Sequence, residues 1–168
     1  MNLDETVIVA LGGNLPGEFG SPRNLLEAAL SRFAQAGLPV VSRSSWWKSA
    51  AWPDPTGNEY RNAVVLVETQ QTPEETIRTL FSIEDAFGRH RSRKNAPRTL
   101  DLDLIAYGRR QLQTPDLILP HPRAAERLFV MGPLAELVPA WRHPVSGLTA
   151  LELARSATIG RDSAPDVG

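Results

Sequence analysis

The stretch Leu100-Asp101-Leu102-Asp103-Leu104 alternates apolar and acidic residues without a break. In a β-strand, side chains at i and i+2 share a face. Leu100, Leu102 and Leu104 are therefore expected to face a core, while Asp101 and Asp103 stand side by side on the opposite face. Two carboxylates so close repel each other unless a cation or protons lie between them. Immediately upstream, residues 89–98 hold Arg89, Arg91, Arg93, Lys94 and Arg98 and no acidic residue. Acid that can hold Mg²⁺ beside base that can hold phosphate is what a nucleotide-triphosphate enzyme needs. The plain alternative is an edge strand with solvated acids and a basic loop turned to water.

The rest of the chain supplies the neighbours of that strand. Val7 to Leu11 reads as a buried strand that stops at the turn signal Gly12-Gly13-Asn14. Ser21-Pro22 opens a helix whose apolar stripe is Leu25, Leu26, Ala29, Leu30 and Phe33, with Gly37 at its end. Val40 to Lys48 reads as one strand, Ser49 to Glu59 as a long loop, and Tyr60 to Glu68 as a third strand. Thr72-Pro73-Glu74-Glu75 is a capping box at the start of a second helix, closed by Gly88. Ile77, Leu80, Phe81, Ile83 and Phe87 form its apolar face, and Glu84 falls within that face. Such a Glu either snorkels past the rim or is aimed at the site of the two aspartates. Thr99 to Tyr107 is a strand, Leu117 to Leu119 a short one, and residues near Arg123 to Leu128 a short helix before the apolar stretch Phe129 to Leu137. Thr149 to Glu152 is a second capping box, opening the last helix. The order β-α-β-β-α-β predicts an α+β fold: a ferredoxin-like βαββαβ core, its antiparallel sheet covered by helices, with C-terminal additions. Residues 1–155 are expected to form a single domain, with 156–168 a flexible tail of small and polar residues.

Composition narrows the chemistry. A chain of 168 residues with 42% hydrophobic and 22% charged residues suits one globular domain. A net charge of −1 provides no broad attraction to nucleic acid or to an anionic membrane. The chain has no cysteine, so disulfides, thiolate metal sites and a cysteine nucleophile are excluded. That suits a cytoplasmic location. The N-terminus lacks the pattern of a signal peptide and no segment approaches 18 apolar residues, so no membrane association is expected. No P-loop and no kinase H-R-D or D-F-G set is present. His90, His121 and His143 are scattered and suggest no zinc site. Trp46, Trp47, Trp52 and Tyr60 cluster around the long loop; Trp46 and Trp47 must point to opposite faces of a strand. Tyr60 and Asn62 share a face, where an aromatic beside an amide can stack on and hydrogen-bond a flat heterocycle. A basic loop on a ferredoxin-like sheet also fits an RNA-binding module built on residues 89–98.

Six ordered blocks together resemble the 6-hydroxymethyl-7,8-dihydropterin pyrophosphokinases of folate biosynthesis. They are Ala10-Leu11-Gly12-Gly13-Asn14-Leu15; Tyr60-Arg61-Asn62; Glu84 with Gly88-Arg89-His90-Arg91; Pro97-Arg98-Thr99-Leu100-Asp101-Leu102-Asp103-Leu104; Leu119-Pro120-His121-Pro122-Arg123; and Arg127-Leu128-Phe129-Val130 with Pro133-Leu134. The resemblance implies transfer of pyrophosphate from ATP to the hydroxymethyl oxygen of the pterin, with AMP leaving. It implies that Asp101 and Asp103 hold two Mg²⁺ ions and that Arg91 and Arg98 are catalytic, phosphate-binding arginines. It places Glu84, Leu104, His121 and Arg127 at the nucleotide. It places Tyr60 and Phe129 on either side of the pterin ring, Asn62 at its edge, and Ser49 and Trp52 in the loop beside it. The expected partners are small molecules alone, with no nucleic acid or membrane, and the expected state is a monomer. The chain departs from the family pattern in two places. Ser49-Ala50 stands where members often have Thr-Pro. The loop Arg93-Lys94-Asn95-Ala96-Pro97-Arg98 lacks a Trp, which leaves Arg93 and Lys94 as alternatives for a second catalytic basic residue.

Overall fold

The computed structural model describes residues 2–16, 18–50, 57–88 and 100–166. The two longest apolar runs become β1 (Val7–Gly13) and β4 (Tyr60–Val67), paired antiparallel from Val7↔Val67 to Gly13↔Arg61. Along β1, Val7, Val9 and Leu11 enter one core while Ile8 and Ala10 enter another; along β4, Ala63, Val65 and Val67 oppose Val64 and Leu66 in the same way. Strands without polar interruption are what a sheet covered on both faces requires. Strand β5 (Asp101–Tyr107) pairs antiparallel with the other edge of β1, with a register shift between Ile8 and Val9.

Helices α1 (Pro22–Leu30) and α2 (Pro73–Ala86) contribute Leu25, Leu26, Ala29, Leu80 and Ile83 to the core on one face, with Leu100, Leu102 and Leu104. Helices α3 (Leu128–Leu137) and α4 (Ala150–Ser156) contribute Val130, Met131, Leu134, Ala150 and Leu153 to the core on the other. The two capping boxes are both closed: Glu75 N–H donates to Thr72 Oγ1 and Thr72 N–H to Glu75 Oε1, and Thr149 and Glu152 exchange the same pair. The architecture among the described residues is thus a mixed α/β one, an antiparallel sheet between two helical layers. No helix among these residues is long and apolar enough to cross a membrane.

Several sequence expectations are corrected. Gly12-Gly13 is not a turn but the end of β1, paired with Asn62 and Arg61. Helix α1 ends at Leu30, not near Gly37, and Ser31 Oγ donates to the Ala28 carbonyl at 2.6 Å where the helix stops. The single strand expected from Val40 to Lys48 is broken into β2 (Val40–Arg43) and β3 (Trp47–Ser49). At the break, Ser44 Oγ accepts the Val64 N–H at 3.0 Å, taking the place of a backbone carbonyl. Ser45 is drawn off to α3, its N–H and Oγ both donating to the Glu136 carboxylate at 2.6 Å. The sheet order is β5-β1-β4-β3-β8, with β2 beside β3 on the β4 edge and β8 spanning Ala164–Pro165. Strands β6 (Leu112–Gln113) and β7 (Ile118–Leu119) form a separate hairpin. The short helix near Arg123 is a 3₁₀ turn, Ala124–Glu126, and the apolar stretch after it is α3 itself. Residues 157–166 are bonded to Glu126, Leu128 and Trp46 and include β8.

Leu26 has no exposed surface in the α1 core. Leu26→Ala should cost about 2–5 kcal/mol of unfolding free energy. A lower urea midpoint with an unchanged m-value checks this; an unchanged midpoint would show that the α1 core is not packed as described.

Candidate active site

Opposed residues in antiparallel strands point to the same face. Asp101 lies opposite Gly12, Gly12 opposite Asn62, and Asn62 opposite Trp47, so one row crosses β5, β1, β4 and β3. One step inward, Asp103 lies opposite Ala10, and Ala10 opposite Val64. Ala10 and Val64 belong to the core under α3 and α4, so both aspartates stand on that face, at its end. One step outward, Ser49 pairs with Tyr60. The sheet therefore gathers Asp101, Asp103, Asn62, Tyr60 and Ser49 at one end of one face, although they are 54 positions apart at the extremes by number (Ser49 to Asp103).

Gly12 makes this row possible. A Cβ there would sit 2.9 Å from Asn62 Oδ1. Its absence leaves bare backbone between the carboxylates and the amide. Asn62 is 5% exposed, and its Nδ2 donates to Ser49 Oγ at 3.0 Å, which turns Oδ1 over Gly12. Asp101 and Asp103 remain partly exposed. Among the described residues no three His, Cys, Asp or Glu side chains converge, so the aspartates form a two-carboxylate site rather than a cage. That donor set fits Mg²⁺, which takes one or two protein carboxylates and completes its shell with water and substrate phosphate.

Glu84 comes from the opposite layer. It is fully buried on α2, and its Oε2 accepts the Leu102 N–H at 2.7 Å. Among the described residues β5 is the edge strand, so this carboxylate caps a backbone donor that no further described strand pairs. It thus grips β5 at the residue between the two aspartates without standing on their face. The Leu104 side chain lies in the core below α1 and α2, so the group it offers outward is its backbone.

His121 lies along the same edge, its N–H donating to the Ile105 carbonyl at 2.8 Å. Arg123 N–H donates to His121 Nδ1 at 3.2 Å, which places the proton of a neutral ring on Nε2. Burial holds the ring below the usual histidine value of 6.5; Asp103 pulls the other way, and Arg127 and Arg123 add to the lowering. Arg127 and Phe129 lie at the entry to α3, the guanidinium 5.8 Å above the ring centroid. Phe129 packs against the core that begins beneath the aspartate row.

The sequence reading overlooked Gly12 as a site residue and gave Trp47 no partner. Trp47 faces α3, where a Cβ on Gly132 would come within 2.6 Å of the indole, and its Nε1 donates to Glu136 Oε1 at 3.2 Å. Trp46 turns to the opposite core and donates to Glu27 Oε1 at 2.9 Å. The alternation of the two tryptophans was legible; the close approach of a glycine from another element was not. Trp52, Arg91, Arg93, Lys94 and Arg98 lie outside the described residues.

The family described as 7,8-dihydro-6-hydroxymethylpterin-pyrophosphokinase matches residues 8–139. A 2-amino-4-hydroxy-6-hydroxymethyldihydropteridine pyrophosphokinase of Synechocystis is 44% identical over 147 residues, 87% of this chain and 73% of the relative. One of the same name from Methylorubrum extorquens is 36% identical over 132 residues, 78% of this chain and 81% of the relative. Among solved structures, Plasmodium falciparum HPPK-DHPS with pteroate superposes with a TM-score of 0.70 at 11% identity, covering 89% of this chain and 42% of that longer one. At that identity the likeness is one of fold.

In metal-free protein, His121 should titrate below 6.5 by NMR. Because the folded value is depressed, the unfolded chain binds more protons in the window just below 6.5, so this group's contribution is present above that pH and is lost as pH falls through the folded value. A His121 resonance titrating at or above 6.5 would overturn the buried, neutral assignment.

Proposed function

The chain belongs to the 7,8-dihydro-6-hydroxymethylpterin-pyrophosphokinase family, and on that premise we propose that it transfers pyrophosphate from ATP to the hydroxymethyl oxygen of 6-hydroxymethyl-7,8-dihydropterin, releasing AMP, in folate biosynthesis. The observation that carries the reading is the row in which Asp101 is separated from Asn62 by Gly12 alone, with Asp103 one step inward on the same face, opposite Ala10. A flat heterocycle bound at Asn62 would hold a substituent over Gly12, next to the carboxylates. Nothing in the family match or the relatives favours the RNA-binding alternative.

In this reading Tyr60 and Phe129 hold the two faces of the pterin, Asn62 and Ser49 read its edge, and Trp52 stands in the loop beside it. Arg91, Arg98, His121, Arg127, Glu84 and the Leu104 backbone serve the nucleotide, the arginines as bidentate phosphate ligands. His121 presents Nε2–H as a neutral donor. Glu84 fixes the β5 edge, so both aspartates keep their spacing. Two Mg²⁺ ions held by Asp101 and Asp103 would neutralise phosphate charge and acidify the attacking hydroxyl. The side chains then need only align hydroxyl, β-phosphorus and leaving AMP, and exclude water. We read the sheet, with β2 and β3 taken as one interrupted strand, as a ferredoxin-like core with α3 and α4 as C-terminal additions; the neighbours β5-β1-β4 support that reading. We take the chain as one domain, extending past the expected boundary at residue 155 to include β8, that acts as a cytoplasmic monomer on small-molecule substrates.

Incubation with ATP, Mg²⁺ and the pterin should yield pterin-dependent AMP, and EDTA should abolish it. ADP in place of AMP would mean ordinary phosphoryl transfer and would sink the reaction class. Asp101→Ala and Asp103→Ala should each lower kcat by on the order of 10²–10³-fold or more with the circular dichroism spectrum unchanged; wild-type turnover in either removes the metal assignment. Tyr60→Ala should raise the KM for pterin more than that for ATP, and the reverse pattern would show the two subsites exchanged.

A further inference from the structure

The segment 157–166 reaches one face assigned above to the pterin, at Phe129, and the end of β3 beside Ser49, assigned to its edge. At its start, Thr158 and Ile159 N–H donate to the Glu126 carbonyl at 3.1 and 2.9 Å, and the Ile159 carbonyl accepts the Leu128 N–H at 2.9 Å. These bonds bridge Ile159 to Arg127 at the mouth of α3. Gly160 follows at φ +72°, and a Cβ there would lie 2.6 Å from Phe129 Cδ1. The chain then turns, with Ser163 N–H donating to the Gly160 carbonyl at 2.9 Å. Asp162 Oδ2 accepts the Ala50 N–H at 2.6 Å. Ala164 and Pro165 pair with Lys48 and Trp47. Asp166 N–H donates to the Trp46 carbonyl at 2.8 Å, and the Asp166 carboxylate accepts from Arg61 Nε at 2.8 Å.

Resting on the pyrophosphokinase reading, we infer that residues 157–166 are a strap completing the pterin site from behind, and that Asp162 is its positioning residue. The strap spans from Phe129 to the Ser49-Ala50 end of β3. Ala50 is exposed and directly follows Ser49. With β3 only three residues long, little regular pairing holds that end. Asp162 supplies a charge-assisted hydrogen bond there, of the stronger class. Its carboxylate touches no residue assigned to the chemistry, so it acts through Ala50 and Ser49 on Asn62, whose Nδ2 is oriented by Ser49 Oγ. At the other end, Gly160 leaves the space that Phe129 fills. The strap therefore sets the separation of Phe129 from the Ser49 edge. Its bridge to Arg127, assigned to the nucleotide, is made at Ile159, whereas the described bond of the Asp162 carboxylate goes to Ala50, so a change at Asp162 should fall on pterin and spare ATP.

The test compares wild type, Asp162→Ala and Asp162→Asn in pterin dissociation constants, in KM for both substrates, and in melting temperature. Asp162→Ala should weaken pterin binding roughly tenfold, about the loss of one hydrogen bond to a charged group, with the KM for ATP within about twofold. Asp162→Asn keeps a carbonyl acceptor and should recover most of the loss. Gly160→Val, which forces Phe129 aside, should also raise the pterin constant more than the ATP KM. If wild type binds pterin and Asp162→Ala binds it equally well, the strap is overturned while the function stands. Equal losses for pterin and ATP, or no recovery by Asp162→Asn, would reduce Asp162 to a general structural contact and overturn the positioning role. If wild type itself binds no pterin, the functional reading fails and this inference fails with it.

Discussion

Strand β1 is hydrogen-bonded along both edges, antiparallel to β4 on one side and to β5 on the other. Its residues go alternately to two cores, so a slip of one position would send Val9 and Leu11 into the layer of α3 and α4, and Ile8 and Ala10 into the layer of α1 and α2. Both cores bury these side chains, and both therefore enforce the same register. That register carries Gly12 to a place between Asp101 and Asn62. The site is a consequence of the pairing, because its residues simply continue the alternation past the point where helices cover the sheet.

Glu84 and the His121 segment deal with the cost of leaving β5 at an edge. An unpaired edge strand exposes backbone donors and acceptors. Here Leu102 N–H is taken by a buried carboxylate, and the Ile105 carbonyl by His121 N–H. Both bonds fall on the strand that bears the aspartates. The same interactions that finish the sheet thus hold the carboxylates in place and bring His121 beside Asp103. Serines do comparable work on the other side, where Ser44 and Ser45 interrupt the β2–β3 edge and Glu136 of α3 gathers the loose donors.

The sequence made the central elements legible wherever one short-range rule dominated. The leucine and aspartate alternation in β5, the opposite faces of Trp46 and Trp47, and the two capping boxes follow from periodicity and local hydrogen bonding. Short-range rules failed where a distant residue intervened. Gly12-Gly13 looks like a turn by composition, yet it is strand because β4 and β5 flank it. The run from Val40 to Lys48 has strand propensity throughout, yet Ser44 and Ser45 find better partners in Val64 and Glu136. Residues 157–166 lack any apolar pattern, and their order comes from backbone bonds to Glu126, Leu128 and Trp46 together with Asp162 and Asp166.

By itself, then, the sequence determined the main strands β1, β4 and β5 and the capped starts of the helices, the pairing of two carboxylates on one face, and membership of a pyrophosphokinase family through blocks spread along the chain. These depend on residue type and spacing within a few positions. Only the tertiary structure decided that Glu84 grips the edge of β5 from the opposite layer, that Gly12 is the bare ground between Asp101 and the Asn62 amide, and that the final segment runs from Phe129 to the Ala50 end of β3. Each depends on which residues from remote parts of the chain meet, and the register of a sheet buried on both faces sets those meetings.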